Sequence, residues 1–150
     1  MLRMIIAFLL FQGLRHQTLQ FFVDGHKTLH HTIETALGWI HSKRLILDWF
    51  HLNEKCKTQL RPICRGRERR NAILKELLPW LWRGQIDEAI AYLRTLGSAD
   101  LKQGHTVDRL IGYFERNRPL IPCYALRKQL GLCNSSNRGE KANDVLVAHR

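Results

Sequence analysis

The chain has 150 residues, enough for one domain with a substantial core and too few for two of ordinary size. Hydrophobic residues make up 45% of it and charged residues 25%, proportions that exclude the disordered, collagen-like and membrane-spanning classes. With 24 Lys and Arg against 13 Asp and Glu, the formal net charge is +11, so we expect a polyanionic partner, nucleic acid first and acidic lipid a weaker alternative.

The cysteines and the amino-terminal apolar run indicate where in the cell the protein acts. The four cysteines are Cys56, Cys64, Cys123 and Cys133, and none of them forms a C-x-x-C pair. Four cysteines do not make a disulfide scaffold in a chain of this length, so we expect reduced thiols and a cytoplasmic protein. The run over residues 4–11 is shorter than the ~20 residues that span a bilayer and lacks a small-x-small cleavage site. It predicts a buried helix in a protein without a membrane partner.

The next residues follow strand and helix patterns in turn. An aromatic and β-branched run over residues 19–23 predicts a strand that ends at the turn Asp24-Gly25. From His26 onward a four-residue spacing predicts a helix that buries three apolar residues: Leu29, Ile33 and Leu37. Residues 44–47 predict a second strand, followed by Asp48-Trp49-Phe50-His51.

This order of elements predicts a βαβ unit with parallel strands near residues 19–24 and 44–48. Parallel sheets bind ligands outside the carboxyl ends of their strands. Asp24 and Asp48 each follow such an end, which makes them candidate site residues. The alternative for Asp24 is an ordinary Asp-Gly turn.

From residue 52 onward the pattern predicts helices only, so the expected class is α/β but α-rich overall. Three amphipathic stripes are core positions, the third ending before Pro119. They are Ile73, Leu74, Leu77, Leu78 and Leu81; then Ile86, Ala89, Ile90 and Leu93; then Val107, Leu110, Ile111 and Phe114.

The most basic stretch lies between the predicted sheet and these stripes. The only acids in this stretch are Glu54 and Glu68. Its cations are Lys55, Lys57, Arg61, Arg65, Arg67, Arg69 and Arg70. Trp80 and Trp82 follow, and a cationic surface beside exposed aromatic rings would bind phosphates and stack bases. The stretch therefore predicts DNA binding. The alternatives are a solvated helix face, or a basic helical module that binds nucleic acid or protein without catalysis.

Four segments together resemble one protein family. They are FFVDGHKTLH, RLILDWFHLNEKC, YFERNRPLIPCYALRKQLGL and NSSNRGEKANDVLVAHR. They are similar to the distal part of the catalytic core of bacterial insertion-sequence DDE transposases of the Mutator-allied group, and the resemblance extends over residues 19–150. It implies an RNase H-like core interrupted by an all-helical insertion. Residues 1–52 would then be a partial core, 53–133 the insertion, and 134–150 the start of the carboxy-terminal core helix.

The resemblance also implies the site and its chemistry. Asp24 corresponds to the second catalytic Asp and Glu140 to the catalytic Glu, both ligands of a two-ion Mg²⁺ or Mn²⁺ site, while Asp48 and His51 match the C/D-x-x-H signature. Two divalent ions suit the cleavage and transfer of DNA strands because they neutralise the transferring phosphoryl group and activate the attacking oxygen. Carboxylates are the hard ligands that Mg²⁺ prefers. The partner implied is DNA at the transposon ends.

The chain departs from the family pattern at one acid. The family's first catalytic Asp lies on an early strand, yet no Asp or Glu precedes Asp24 here. We therefore expect a transposase fragment that is inactive alone. The edge of the strand over residues 19–23 would lack its neighbour, and because unpaired edges invite association, we also expect self-association into a homo-oligomer.

Overall fold

The computed structural model describes residues 2–13, 17–40, 42–102 and 106–136, in two compact units, Met1–Leu47 and Asp48–Arg150. Within these ranges the first unit holds a two-stranded parallel sheet and two helices. The second unit is helical. The predicted α-rich α/β class is confirmed at this level.

The first unit contains the predicted βαβ order. Strand β1 (Leu19–Val23) and strand β2 (Lys43–Leu47) run parallel, in a register that pairs Val23 with Leu47, the last residue of each. Helix α2 (Lys27–Ala36) connects them. Strand, turn, helix and strand are thus confirmed, with β2 beginning one residue earlier than expected.

A small apolar core holds this unit together. Ile33 and Leu37, two of the residues predicted to face inward from the α2 segment, are buried. The strands contribute their carboxyl ends, Val23 from β1 and the adjacent Ile46 and Leu47 from β2. The buried apolar side chains among the described residues of this unit are Leu9, Val23, Ile33, Leu37, Ile40, Ile46 and Leu47. Each contributes roughly 1.5–3 kcal/mol when fully buried.

Helix α1 (Leu2–Phe11) forms where the apolar run predicted a helix, but the expectation that it is buried is wrong. Leu9 is buried, whereas Met4, Phe8 and Phe11 are exposed, Phe11 to 87%. The reason is the amount of partner surface. Residues 4–11 of this helix are all apolar, so it has apolar side chains on every side. The described part of its unit offers only a two-stranded sheet and one other helix to cover them.

The second unit begins with three helices packed in succession. Helix α3 (Trp49–Ile63) packs on α4 (Gly66–Trp82), and α4 packs on α5 (Ile86–Arg94). The first two predicted stripes fall on α4 and α5 and are buried, apart from the half-buried Leu78. Gly84 makes the turn between α4 and α5 with a φ of 74°. A Cβ there would lie 3.1 Å from the backbone of Pro122 and Cys123, so glycine is required at this position.

The last described helices close the core of the second unit. Helix α6 (Asp108–Asn117) packs on α3 and α5, and a 3₁₀ turn (Arg118–Leu120) leads to α7 (Tyr124–Gln129). All four residues of the third predicted stripe are buried, and α6 ends before Pro119 as expected. Within the described ranges, none of these helices is long and apolar enough to cross a bilayer.

Candidate functional site

Asp24 follows β1 directly and lies half-buried at the turn into α2. Its Oδ1 accepts a hydrogen bond from the backbone N–H of His26 at 2.9 Å, and Gly25 completes the turn with a φ of 84°. The Asp-Gly turn is thus confirmed. The side chain is a hard carboxylate donor held in a fixed orientation, which is chemistry that fits a divalent ion.

Asp48 follows β2 and is completely buried. It is the N-cap of α3, where its Oδ1 accepts from the backbone N–H groups of Phe50 at 2.8 Å and His51 at 3.4 Å. Its Oδ2 accepts from the backbone N–H of Ser136 at 2.7 Å and from the Ser136 hydroxyl at 2.8 Å. The carboxylate therefore joins the start of α3 to a segment 88 residues further along the chain.

The hydrogen bonds of Asp48 decide its charge state. Burial alone would raise the pKa of this carboxyl, but the donors from Ser136, Phe50 and His51 outweigh it and hold the pKa below its ordinary value. Asp48 is thus ionised at neutral pH with both oxygens engaged. In the pair Asp48 and His51, Asp48 is therefore a structural anchor. His51 is half-buried, and its ring lies 5.9 Å from that of Phe50.

The segment held by Asp48 is fixed by a second set of contacts from α7. Arg127 is buried and donates to the carbonyl of Cys133 at 2.6 Å and to Oδ1 of Asn134 at 3.2 Å. Asn134 in turn donates to the carbonyl of Tyr124 at 2.9 Å and accepts from the backbone N–H of Trp49 at 3.0 Å. Residues 133–136 are therefore tied to both α3 and α7. The burial of Arg127 has no signal in the sequence, since an arginine near a helix end is ordinarily exposed.

Aromatic rings pack beside this anchor. The ring of Trp49 lies 4.8 Å from that of Trp82 and 5.1 Å from that of Tyr124. Trp82 and Tyr124 are stacked at 5.8 Å. Trp80 is half-buried too. The suggestion of exposed tryptophans for base stacking is therefore wrong for Trp82, whose ring is used in packing the second unit.

Glu140, the other acid of the implied metal site, lies outside the described residues. Among the residues that the structure describes, no three His, Cys, Asp or Glu side chains form a group that could hold a metal ion.

The seven cations of the basic stretch fall into two groups. Four are engaged by a carboxylate, a backbone carbonyl or an aromatic ring. Lys57 forms an ion pair with Glu54 at 2.7 Å, Arg69 pairs with the carboxylate of Asp100, and the Nε of Arg65 donates to the carbonyl of Leu101 at 2.9 Å. Lys55 lies over the ring of Tyr113 at 5.4 Å. The remaining three are Arg61, Arg67 and Arg70.

These three cations line one cleft of about 440 Å³ at the start of α4. Lys102 lines it too, although it is more than 30 positions away in the chain and was not expected from the sequence. An isolated antiparallel bridge between Cys64 and Leu101 brings it there, and the backbone N–H of Lys102 donates to the carbonyl of Ile63 at 2.8 Å. Its Nζ donates to the carbonyl of Pro62 at 2.9 Å.

Asp100 supports this loop. Hydrogen bonds from the backbone of Gly97 and from the Arg69 side chain lower the pKa of its carboxyl. It also presents its backbone carbonyl to the N–H of Arg65 at 2.9 Å. The buried acid thus neutralises Arg69, and no acid is among the described residues that line the cleft.

Comparison with known proteins adds no assignment. No family model, no curated protein and no solved structure matches the chain.

Proposed function

We propose that this chain is the distal part of the RNase H-like catalytic core of a bacterial DDE transposase, with its helical insertion, acting on DNA in the cytoplasm. One observation carries the proposal. Asp24 and the Asp48-x-x-His51 signature directly follow the two strands of a parallel βαβ unit, in the chain order that the resemblance requires. The helical region that follows corresponds to the insertion.

Asp48 acts in this proposal as a positioning residue. Both of its oxygens are engaged by hydrogen bonds, so it is not available as a metal ligand. It holds Ser136, which lies shortly before Glu140 in the chain. The role of the signature acid is therefore to fix the segment that leads to the catalytic Glu.

Asp24 and Glu140 are the proposed ligands of the divalent ions. Bound Mg²⁺ or Mn²⁺ would neutralise the phosphoryl group during strand cleavage and transfer. The fixed carboxylate of Asp24 suits a hard ion. No acid precedes it in this chain, and two acids hold a metal pair poorly, so the isolated chain should bind an ion weakly and leave DNA intact.

Titration with Mn²⁺, followed by electron paramagnetic resonance of the free ion, tests this assignment. We expect weak Mn²⁺ binding that is lost in Asp24→Asn and in Glu140→Gln. The matched control is Asp108→Asn, which removes an exposed acid on α6 and should leave binding unchanged. Equal binding by all four proteins would contradict the metal site.

A basic binding module without catalysis is the second candidate, favoured by the cationic cleft and by the Asx-type turn that already employs Asp24. Binding to a protein partner that persists at high salt would support this second candidate, because binding to phosphates falls steeply as salt rises. Self-association into a homo-oligomer is also proposed, because a two-stranded sheet is marginal on its own and the described part of α1 exposes Met4, Phe8 and Phe11.

A further inference from the structure

The cleft at the start of α4 is a strongly cationic surface. Three arginines and one lysine converge on it, and none of the described residues that line it is acidic. The described residues that line it are Arg61, Cys64, Gly66, Arg67, Arg70 and Lys102. Like charges brought together in a folded chain repel one another, so their convergence favours an anionic ligand.

The backbone adds to this field. Helix α4 has 17 residues, and its N-cap residue, Arg65, forms no side-chain hydrogen bond to the first amides. The amino-terminal end of a helix carries partial positive charge and free N–H donors, which favours anions. Glu68, in the first turn, is the one acid there and does not line the cleft. The nearby Asp100 is engaged by Arg69.

The donors in the cleft have capacity to spare. The guanidinium of Arg70 donates to Oδ1 of Asn71 at 2.9 and 3.3 Å, and the ammonium of Lys102 donates to Pro62. Arginine has five N–H donors and lysine three, so these contacts leave donors for a ligand. Arg61 and Arg67 are exposed, and neither forms an ion pair with another described residue. A tetrahedral, multiply accepting anion fits this set.

We propose that this cleft is a seat for one backbone phosphate of DNA, formed jointly by Arg61, Arg67 and Arg70 with Lys102. The choice of DNA as the source rests on the proposed function and on the net charge of +11, which attracts a polyanion rather than a small anion. This proposal separates the basic residues that contact DNA from those that stabilise the fold. The four cations of the seat contact phosphate, whereas Lys57 and Arg69 serve the internal ion pairs described above.

Binding of the full chain to a 20-bp duplex, measured by fluorescence anisotropy over a series of salt concentrations, tests the seat. We expect Lys102→Gln to weaken binding several-fold on unrelated sequences alike and to reduce the salt slope by about 1. Lys102→Arg should retain most of the affinity. The matched control is Arg83→Gln, an exposed cation at the opposite end of α4, which should bind as the wild type does.

A double-mutant cycle distinguishes convergence from general charge. If Lys102 and Arg67 hold the same phosphate, the losses from Lys102→Gln and Arg67→Gln should be less than additive in the double variant. Circular dichroism and thermal unfolding of each variant confirm that the fold is retained.

Three results would overturn the seat. If Lys102→Gln and Arg83→Gln bind equally well, DNA binding does not use the cleft, and the proposed function stands without it. If inorganic phosphate shifts the NMR signals of Lys102 and Arg67 while duplex binding ignores both, the cleft takes free phosphate instead. If the wild type binds no duplex at low salt, both the seat and the DNA-directed function fail.

Discussion

The contacts of Asp48 with Ser136 allow the anchor to be tested separately from the helix cap. Asp48→Asn keeps an oxygen for the cap of α3, and Asn is as good an N-cap as Asp. It replaces the Oδ2 acceptor by an amide N–H group, which cannot accept from the Ser136 N–H. Asp48→Ala removes the cap and the anchor together.

The expected losses of unfolding free energy follow from these contacts. Losing the charge-assisted hydrogen bonds to Ser136 should cost about 2 kcal/mol in Asp48→Asn. Losing the cap as well should bring the cost to about 3 kcal/mol in Asp48→Ala, since an N-cap contributes roughly 1 kcal/mol. The control Asp108→Asn removes an exposed acid and should change stability by no more than about 0.5 kcal/mol.

Urea unfolding measures these losses, and amide hydrogen exchange locates them. For about 2 kcal/mol of local stability, exchange of the Ser136 amide should accelerate roughly thirtyfold in Asp48→Asn. If Asp48→Asn has wild-type stability and wild-type protection of Ser136, then Asp48 does not anchor this segment.

The pH dependence of stability provides an independent test of the contribution of Asp48. The pKa of Asp48 in the folded protein lies below its ordinary value of 3.8. Its contribution is therefore fully present above that value and is lost as the pH falls through the folded-state pKa. Below pH 3.8 the stability advantage of the wild type over Asp48→Asn should shrink.

Other parts of the chain give three further predictions. Gly84→Ala should lower stability by about 1–3 kcal/mol because of its positive φ and the nearby backbone, whereas Gly97→Ala, with open space around it, should be nearly neutral in thermal unfolding. Cys133 is exposed and should react with a thiol reagent in the native protein, while Cys56, whose burial raises its pKa, should react only after unfolding; simultaneous labelling of both would contradict the core described here. Purified chain should not nick supercoiled DNA with Mg²⁺ or Mn²⁺, and nicking that disappears in Asp24→Ala would show that another group completes the site.

Local patterns in the sequence were sufficient for the elements and most of the core. The residues over 19–23 and 44–47 have strand composition, and the helix between them predicts the parallel order of β1 and β2. The stripes on α4, α5 and α6 lie inward because a helix buries the positions that recur every three or four residues. The exception is α1, whose uniform apolar character predicts burial without saying what would cover it.

Long-range contacts could not be predicted in the same way. Ser136 reaches Asp48 across 88 positions, and Lys102 reaches the basic cleft through the Cys64–Leu101 bridge. Neither pairing has a local signal, because each depends on how helices pack rather than on spacing within one of them. Arg127 is similar, since its burial is compensated by acceptors at residues 133–134 that sequence alone does not bring near it.

Crystals of the chain soaked in Mn²⁺, with anomalous differences recorded near the manganese absorption edge, would test the transposase assignment most directly. We expect manganese bound by carboxylate oxygens of Asp24 and Glu140, with Asp48 keeping its hydrogen bonds to Ser136 and binding no ion. Manganese at Asp48, or at exposed acids such as Asp108 with none at Asp24, would contradict it.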